Sequence, residues 1–221
     1  MIHNANIRKL VFITLLSRIG LTIFSKMNEL ILIEKGVHKE IISLTTTINI
    51  PIQIILLIFI RNENKTIMQN IINSFYYLII ASIANLLILV SYDKLIQMDL
   101  KILTIVLGIG ISIIFANVYK ILTASTQSFM NKICDRDIGA SYLTAMVSVI
   151  NLSDKWPGVF IFTAVNYLGF ETVGLISIIY TVAFYFFSKN MLIELSELKS
   201  ESWKLDNKEG DDNSNETNKN K

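Results

Sequence analysis

Long runs of apolar residues alternate with short polar stretches along the chain. Six runs are as long, or nearly as long, as the roughly 20 residues of helix that cross a hydrocarbon core about 30 Å thick. They cover Leu10–Ile33, Ile41–Ile60, Ile67–Ser91, Ile102–Ala124, Ile138–Tyr167 and Val173–Ser188. The pattern predicts an all-α integral membrane protein with one six-helix bundle in residues 1–190. A polar, mostly disordered tail is predicted over 191–221, because no apolar residue follows Asn207.

The basic residues between the runs predict the orientation of the bundle. Short connections make neighbouring helices antiparallel, so alternate loops lie on the same side of the membrane. If Met1 faces the cytosol, the cytosolic side holds Arg8, Lys9, Arg61, Lys65, Lys132, Arg136 and Lys189, and the far side holds Lys35, Lys39, Lys94 and Lys101. Cytosolic loops carry an excess of Lys and Arg, so this distribution favours a cytosolic location for both termini and the tail.

The composition supports a bilayer environment and excludes several classes of function. The chain is 52% hydrophobic and 17% charged, which is too apolar for a soluble domain of 221 residues. Its single cysteine, Cys134, excludes an intrachain disulfide, and His3 and His38 lie outside the apolar runs. A membrane acyltransferase needs a buried His, or a Cys or Ser nucleophile with a base, so we expect no enzyme activity and no cofactor or metal. The sparse charge predicts no nucleic-acid partner.

Polar residues recur at helical spacing inside several runs. Spacings of 4, 3 and 4 place side chains on one helix face, and they occur in Arg18, Thr22, Ser25 and Glu29 and again in Thr144, Ser148, Asn151 and Lys155. Weaker stripes are Thr46, Asn49 and Gln53, and Lys120 with Gln127. Ionisable groups inside a bilayer usually face a water-filled path or a partner, so the stripes predict a bundle around a hydrophilic path. The alternative is helix–helix hydrogen bonding by Ser, Thr and Asn.

Two features inside the runs have both a functional and a structural interpretation. Arg18 either binds an anionic solute, or pairs with Glu29 across a cavity, or is a structural ion-pair member while Lys26 and Glu29 extend to the interface. Trp156-Pro157 breaks or bends the fifth helix, because Pro lacks a backbone donor. Broken helices in transporters often expose backbone near a binding site, but a packing kink is the other interpretation.

Two stretches near the fifth run resemble a known family. The first extends from Asp135 to Thr144 and includes Tyr142, and the second joins Asn151-Leu152 to Trp156-Pro157. Together they resemble the signature of the acetyl-CoA transporter family, which reads approximately Asp-Pro-x-Ile-Gly-Gly-Thr-Tyr-Met-Thr and then Asn-Leu-Gly-x-x-Trp-Pro at the same spacing. Three other parts of the chain are also similar to the family. Arg18–Gly20 is similar to the cation-Ile-Gly of its seventh helix, and Glu34–Glu40 with Pro51–Ile54 is similar to the turn and start of its eighth. Ser202–Lys204 is similar to its tail.

The chain also departs from the family pattern. Arg136 stands where the family has Pro, Ala140 and Ser153 replace glycines, and Asp154-Lys155 replaces a Gly-Asn pair. Ser25 occupies the position of an acidic residue in the seventh helix, and Glu29 lies one turn further on. These differences leave open a change of substrate or a shift of the carboxylate by one turn.

The resemblance implies a six-helix bundle equivalent to helices 7–12 of a major facilitator fold. The implied activity is transport of acetyl-CoA from the cytosol into the endoplasmic reticulum or Golgi lumen by alternating access, with coupling to protons left open. Six helices form half of such a transporter, so the implied partners are the lipid bilayer and either an N-terminal half or a second copy. The chain could also be a fragment or non-functional, or a non-transporting membrane scaffold or regulator that retains the fold.

Nine residues are the candidates for binding the transported solute. Arg18, Lys120 and Lys155 offer the positive charge that the phosphates of acetyl-CoA require, and polar helix faces suit its adenine and pantetheine groups. The full set is Arg18, Glu29, Gln53, Lys120, Tyr142, Thr144, Asn151, Lys155 and Trp156.

Overall fold

The described part of the computed structural model is almost entirely helical. It comprises residues 5–61, 67–133 and 139–198, of which 91% are in helices and none in strands. In chain order the helices are α1 (Ala5–Leu16), α2 (Thr22–Lys26), α3 (Asn28–Glu34), α4 (Lys39–Arg61), α5 (Ile67–Gln97), α6 (Lys101–Ile133), α7 (Gly139–Leu168) and α8 (Phe170–Glu197). The all-α class predicted from the hydrophobic runs is confirmed for these residues.

Three of the described helices are long and apolar enough to cross a membrane. They are α5, the part of α6 over Ile102–Ile133, and the part of α8 over Phe170–Leu195. α7 is long enough at 30 residues, but Asp154, Lys155 and several other polar residues make it less apolar. The structure therefore supports an all-α membrane protein in this general form. The six-span facilitator bundle stays a prediction.

The helices extend beyond the apolar runs that predicted them. α5 continues past Ser91 to Gln97, and α6 continues past Ala124 to Ile133. With 33 residues, α6 is about 50 Å long at 1.5 Å per residue, which exceeds the thickness of a hydrocarbon core.

The start of the predicted tail is helical. Residues 191–197 continue α8, and Leu192 and Leu195 are buried in the core. These two residues anchor the end of the helix, although hydropathy alone ended the sixth run at Ser188. Residues 199–221, which include the similar segment Ser202–Lys204, lie outside the described residues.

The first predicted span is not one continuous helix. α1 ends at Leu16, residues 17–21 form turns, and α2 and α3 are two short helices on either side of Met27. By contrast, α4 and α7 continue through Pro51 and Pro157. A break was one of the two outcomes predicted at Trp156-Pro157, but the break occurs in the first span.

The break is stabilised from outside the helix that contains it. Two carbonyl oxygens at the end of α1 accept side-chain hydrogen bonds: that of Leu15 from Trp156 Nε1, at 3.2 Å, and that of Leu16 from Tyr180 OH, at 3.0 Å. Backbone carbonyls without a partner are costly in a bilayer because no water reaches them. Trp156 of α7 therefore supplies a partner for the Leu15 carbonyl, and Tyr180 of α8 adds a second donor to the Leu16 carbonyl, which also accepts the backbone N–H of Ile19 at 3.3 Å.

The core joins the broken first span to four long helices. α5 packs against α6 and α8, α1 packs against α7, and α4 packs against α6. The buried apolar side chains include Ile7 of α1, Phe24 of α2, Leu78 of α5, Leu122 of α6 and Met146 of α7. A smaller cluster of Ile31, Leu32, Val37, Ile42 and Leu89 holds α3 and the start of α4. Outward apolar residues of α4, such as Leu44 and Ile58, are exposed and suit contact with lipid.

Candidate functional site

A polar cavity lies between α2, α3, α4, α6 and α7. Its volume is about 290 Å³, which is just below the range of about 300–1,000 Å³ for ligand pockets. Its polar lining residues are Ser25, Lys26, Asn28, Glu29, Gln53, Ser112, Tyr119, Lys120, Thr123 and Asp154. Three of the predicted site residues, Glu29, Gln53 and Lys120, thus come together although they lie in different helices.

Arg18 is buried directly behind this cavity. Its side chain is 1% exposed, and its Nη1 donates hydrogen bonds to Tyr119 OH and Thr123 Oγ1, each at 3.1 Å. The same nitrogen forms an ion pair with Asp154 Oδ1, to which Tyr119 OH also donates. The guanidinium carbon lies 5.1 Å from the centre of the Tyr119 ring, within range of a cation–π interaction. These contacts offset the cost of burying a positive charge in the bundle.

Glu29 was the partner in one of the alternatives for Arg18, and the structure has another carboxylate in its place. Arg18 pairs with Asp154, whereas Glu29 is exposed and borders the cavity. The pairing with Glu29 assumed a continuous helix, and the turns over 17–21 interrupt the regular 100° step between the two residues.

Asp154, which pairs with Arg18 and borders the cavity, was not among the predicted site residues. The same holds for further polar residues of the cavity wall, Ser25, Lys26, Asn28, Ser112, Tyr119 and Thr123. A signal for Asp154 was present, because Glu29 and Asp154 are the two carboxylates inside the six apolar runs. A buried Arg needs an acidic partner, so both residues were candidates from the outset.

The predicted site residues of α7 do not border the cavity. Thr144, Asn151 and Lys155 are exposed and point away from the described bundle, as does Ser148. The spacing argument for this stripe therefore identified one helix face, which the structure turns outward. Tyr142 is buried at 2% exposure, and Trp156 donates a hydrogen bond to the Leu15 carbonyl at the break.

Some of the remaining polar residues form hydrogen bonds between helices. Asn117 Nδ2 donates to Asn49 Oδ1 at 2.8 Å and links α6 to α4, and Asn28 Nδ2 donates to Ser112 Oγ and links α3 to α6. The Thr46 hydroxyl donates to the carbonyl of Ile42 at 3.0 Å within its own helix. The stripe of the second run is thus divided, since only Gln53 borders the cavity. Helix–helix hydrogen bonding accounts for Asn49, as the alternative interpretation predicted.

The charges around the cavity are of both signs. Lys26 and Lys120 border it and Arg18 lies behind it, against the two carboxylates Glu29 and Asp154. Within the three described ranges, no group of three or more His, Cys, Asp or Glu side chains is arranged to hold a metal ion. The arrangement can bind a charged solute through ionic and hydrogen-bonding contacts.

Comparison of the chain with protein-family models, curated proteins and solved structures found no match. The resemblance to the acetyl-CoA transporter family is thus still a prediction that rests on sequence motifs. The described part of the first motif begins at Gly139, and residues 135–138 lie outside the described residues.

Proposed function

We propose that the chain is one half of a membrane transporter for acetyl-CoA or a related acyl-CoA. The observation that carries this proposal is the polar cavity, with Lys26 and Lys120 at its wall and Arg18 behind it, inside an otherwise apolar bundle. Ionisable groups are expensive in a membrane, and their convergence on one cavity favours a path for a charged solute. Acetyl-CoA is such a charged solute because of its phosphates, and the family motifs point to the same solute.

The outward polar face of α7 supports a second bundle beside this one. Asn151 and Lys155 are exposed on a helix that we propose to cross the membrane, and facing lipid there is costly. A second six-helix unit, either a second copy or an N-terminal half, covers this face and enlarges the small cavity into a complete site. Sites between two bundles are usual in facilitators, and alternating access follows from rocking one bundle against the other.

We further propose that α4, α7 and the broken segment α1–α3 also cross the bilayer. α4 has 23 residues and α7 has 30, and both exceed the roughly 20 residues that a span requires. The proposed membrane is that of the endoplasmic reticulum or Golgi, with transport directed from the cytosol to the lumen, as the family resemblance implies.

A non-transporting scaffold is the second candidate. The observation that favours it is the Arg18–Asp154 pair, which is largely buried and resembles a structural ion pair. A scaffold does not need a hydrated cavity, however, and its polar stripes are expected to pack against neighbouring helices. The cavity lined by Glu29, Gln53 and Lys120 supports transport over this alternative.

Uptake of labelled acetyl-CoA by liposomes that contain the full chain tests the proposal. We expect saturable uptake above that of protein-free liposomes, and a loss of about ten-fold or more when Lys26 and Lys120 are both replaced by Ala, because the loss of even one charge-assisted contact of roughly 1.5–3 kcal/mol corresponds to at least about ten-fold. Lys39→Ala, at the exposed start of α4, is the matched control and should transport normally. Uptake equal to that of protein-free liposomes contradicts transport by two copies of this chain, and no uptake when an N-terminal half is also present favours the scaffold.

A further inference from the structure

Only one of the two terminal nitrogens of the Arg18 guanidinium group makes hydrogen bonds. Nη1 contacts Tyr119, Thr123 and Asp154, whereas Nη2 is buried and has no hydrogen-bond partner. The group is a rigid fork that binds carboxylate or phosphate through two parallel hydrogen bonds, one from each nitrogen. Asp154 therefore holds Arg18 through one side of the fork and leaves a buried donor unsatisfied, which is a costly arrangement.

Asp154 stands between Arg18 and the cavity. The side chain of Asp154 is 26% exposed and borders the cavity together with Tyr119 and Thr123, while Arg18 is 1% exposed and does not border it. A ligand in the cavity thus reaches Tyr119, Thr123 and Asp154 first. It reaches Arg18 only if the Asp154 carboxylate moves aside.

We infer that Asp154 is an internal competitor for Arg18, and that the phosphate of the ligand displaces it on binding. The inference rests on the proposed function and specifies how its site is regulated. A phosphate at this position satisfies both Nη1 and Nη2, and it accepts hydrogen bonds from the Tyr119 and Thr123 hydroxyl groups that now surround Asp154 Oδ1. The displaced carboxylate turns into the cavity, toward which it is already partly exposed, and no covalent step is involved.

The competition has a measurable consequence for affinity. A ligand that binds only the open state of Arg18 has an apparent affinity reduced by the fraction of time that Arg18 is open. If the Arg18–Asp154 pair is formed about nine-tenths of the time, removing the carboxylate tightens binding about ten-fold. A purely structural ion pair predicts no gain, because its loss would only destabilise the bundle.

The test is the binding of inorganic pyrophosphate, and separately of acetyl-CoA, to the purified full chain carrying Asp154→Asn. We expect about ten-fold tighter binding than in the unaltered protein, and no detectable binding when Arg18→Gln is added. Asp93→Asn changes a carboxylate to an amide in the exposed pair with Lys35 and is the matched control, with unchanged affinity expected. Glu29→Gln measures the electrostatic effect of losing a cavity carboxylate that does not hold Arg18, and this effect should be clearly smaller.

Each possible result either supports or overturns the inference that Asp154 competes with the ligand for Arg18. An affinity of Asp154→Asn that is unchanged, or raised no more than in Glu29→Gln, overturns the inference. If Asp154→Asn is unstable without ligand, pyrophosphate should restore its melting temperature close to that of the unaltered protein, since phosphate takes the carboxylate's place. Instability that pyrophosphate does not correct also overturns the inference. Tighter pyrophosphate binding without detectable acetyl-CoA binding keeps the inference and removes acetyl-CoA as the solute. Acetyl-CoA binding that is insensitive to Asp154 keeps acetyl-CoA as the solute and overturns the inference.

Discussion

At the scale of single residues, Gly20 shows how closely the broken first span approaches α8. It lies in the turn that follows Arg18, and a Cβ atom there would collide with Thr181 Oγ1 and lie 2.5 Å from the carbonyl oxygen of Ser177. The second neighbour is backbone and cannot rotate away. Glycine is therefore required by the packing of the turn against α8, whatever role the family resemblance assigns to Arg18–Gly20.

Gly20→Ala should destabilise the protein for this reason. Overpacking of a filled site typically costs about 1–3 kcal/mol, so we expect a clearly lower melting temperature of the purified protein in detergent. Gly110→Ala is the matched control, because no atom lies within 4 Å of a Cβ at that position. It replaces glycine by a better helix former within α6 and should leave stability unchanged or raised. Equal melting temperatures for the two variants would contradict the described packing of the turn.

Arg18 provides the second prediction at this scale. Arg18→Ala should lower acetyl-CoA uptake by about ten-fold or more, because it removes a charge-assisted contact worth at least about 1.4 kcal/mol. Arg18→Lys should retain part of the uptake, since the charge remains and the two-nitrogen fork is lost. The double variant Arg18→Gln with Asp154→Asn removes the ion pair without leaving a lone charge in the bundle. Normal uptake in this double variant would limit Arg18 to a structural role.

At the scale of helices, the break between α1 and α2 depends on two residues far away in the chain. Trp156 of α7 and Tyr180 of α8 donate to consecutive carbonyl oxygens at the end of α1. The break places Arg18 in a turn facing Tyr119 and Asp154, instead of on a regular helix face. The geometry of the cavity wall is thus set jointly by three elements.

Tyr180→Phe tests this dependence with the smallest chemical change. It removes one hydroxyl and leaves the Leu16 carbonyl with the backbone N–H of Ile19, at 3.3 Å, as a donor, so the loss is that of one hydrogen bond, typically about 0.5–1.5 kcal/mol. We expect a lower melting temperature in detergent. Tyr77→Phe, on an exposed face of α5, is the matched control and should melt like the unaltered protein. If both variants melt alike, Tyr180 does not support the break.

At the scale of the whole molecule, the number of membrane crossings determines where the ends of the chain lie. Three described helices meet the length and composition of a span, and we propose three further crossings by α1–α3, α4 and α7. An even number places both ends on one side, and the distribution of Lys and Arg between the loops favours the cytosol.

Reporters fused to the two ends of the full chain test this topology. We expect both the N-terminal and the C-terminal reporter to be protected as cytosolic, and a glycosylation acceptor inserted between α3 and α4, beside Gly36, to be modified in the lumen. Gly36 is exposed and nothing lies within 4 Å of its Cβ position, so an insertion there disturbs little packing. Ends on opposite sides would show that the number of crossings is odd and would exclude the proposed bundle.

The sequence by itself determined the helical class and the position of five long helices. The second to sixth apolar runs each correspond to one of α4–α8, because helix formation over such runs depends on local backbone hydrogen bonds and on the length of the apolar stretch. Three of the cavity residues, Glu29, Gln53 and Lys120, were also identified in advance, since ionisable and amide groups stand out against an apolar background. Both results depend on the hydropathy and polarity of residues that are neighbours in the sequence.

Only the tertiary structure decided which carboxylate pairs with Arg18, where the first span breaks and which way the stripe on α7 faces. Spacing of 4, 3 and 4 shows that Thr144, Asn151 and Lys155 share a face, but the direction of that face depends on how α7 packs. The pairing with Asp154 and the hydrogen bonds from Trp156 and Tyr180 join residues more than 130 positions apart. Such contacts arise when helices assemble, so no local pattern in the first span could specify them.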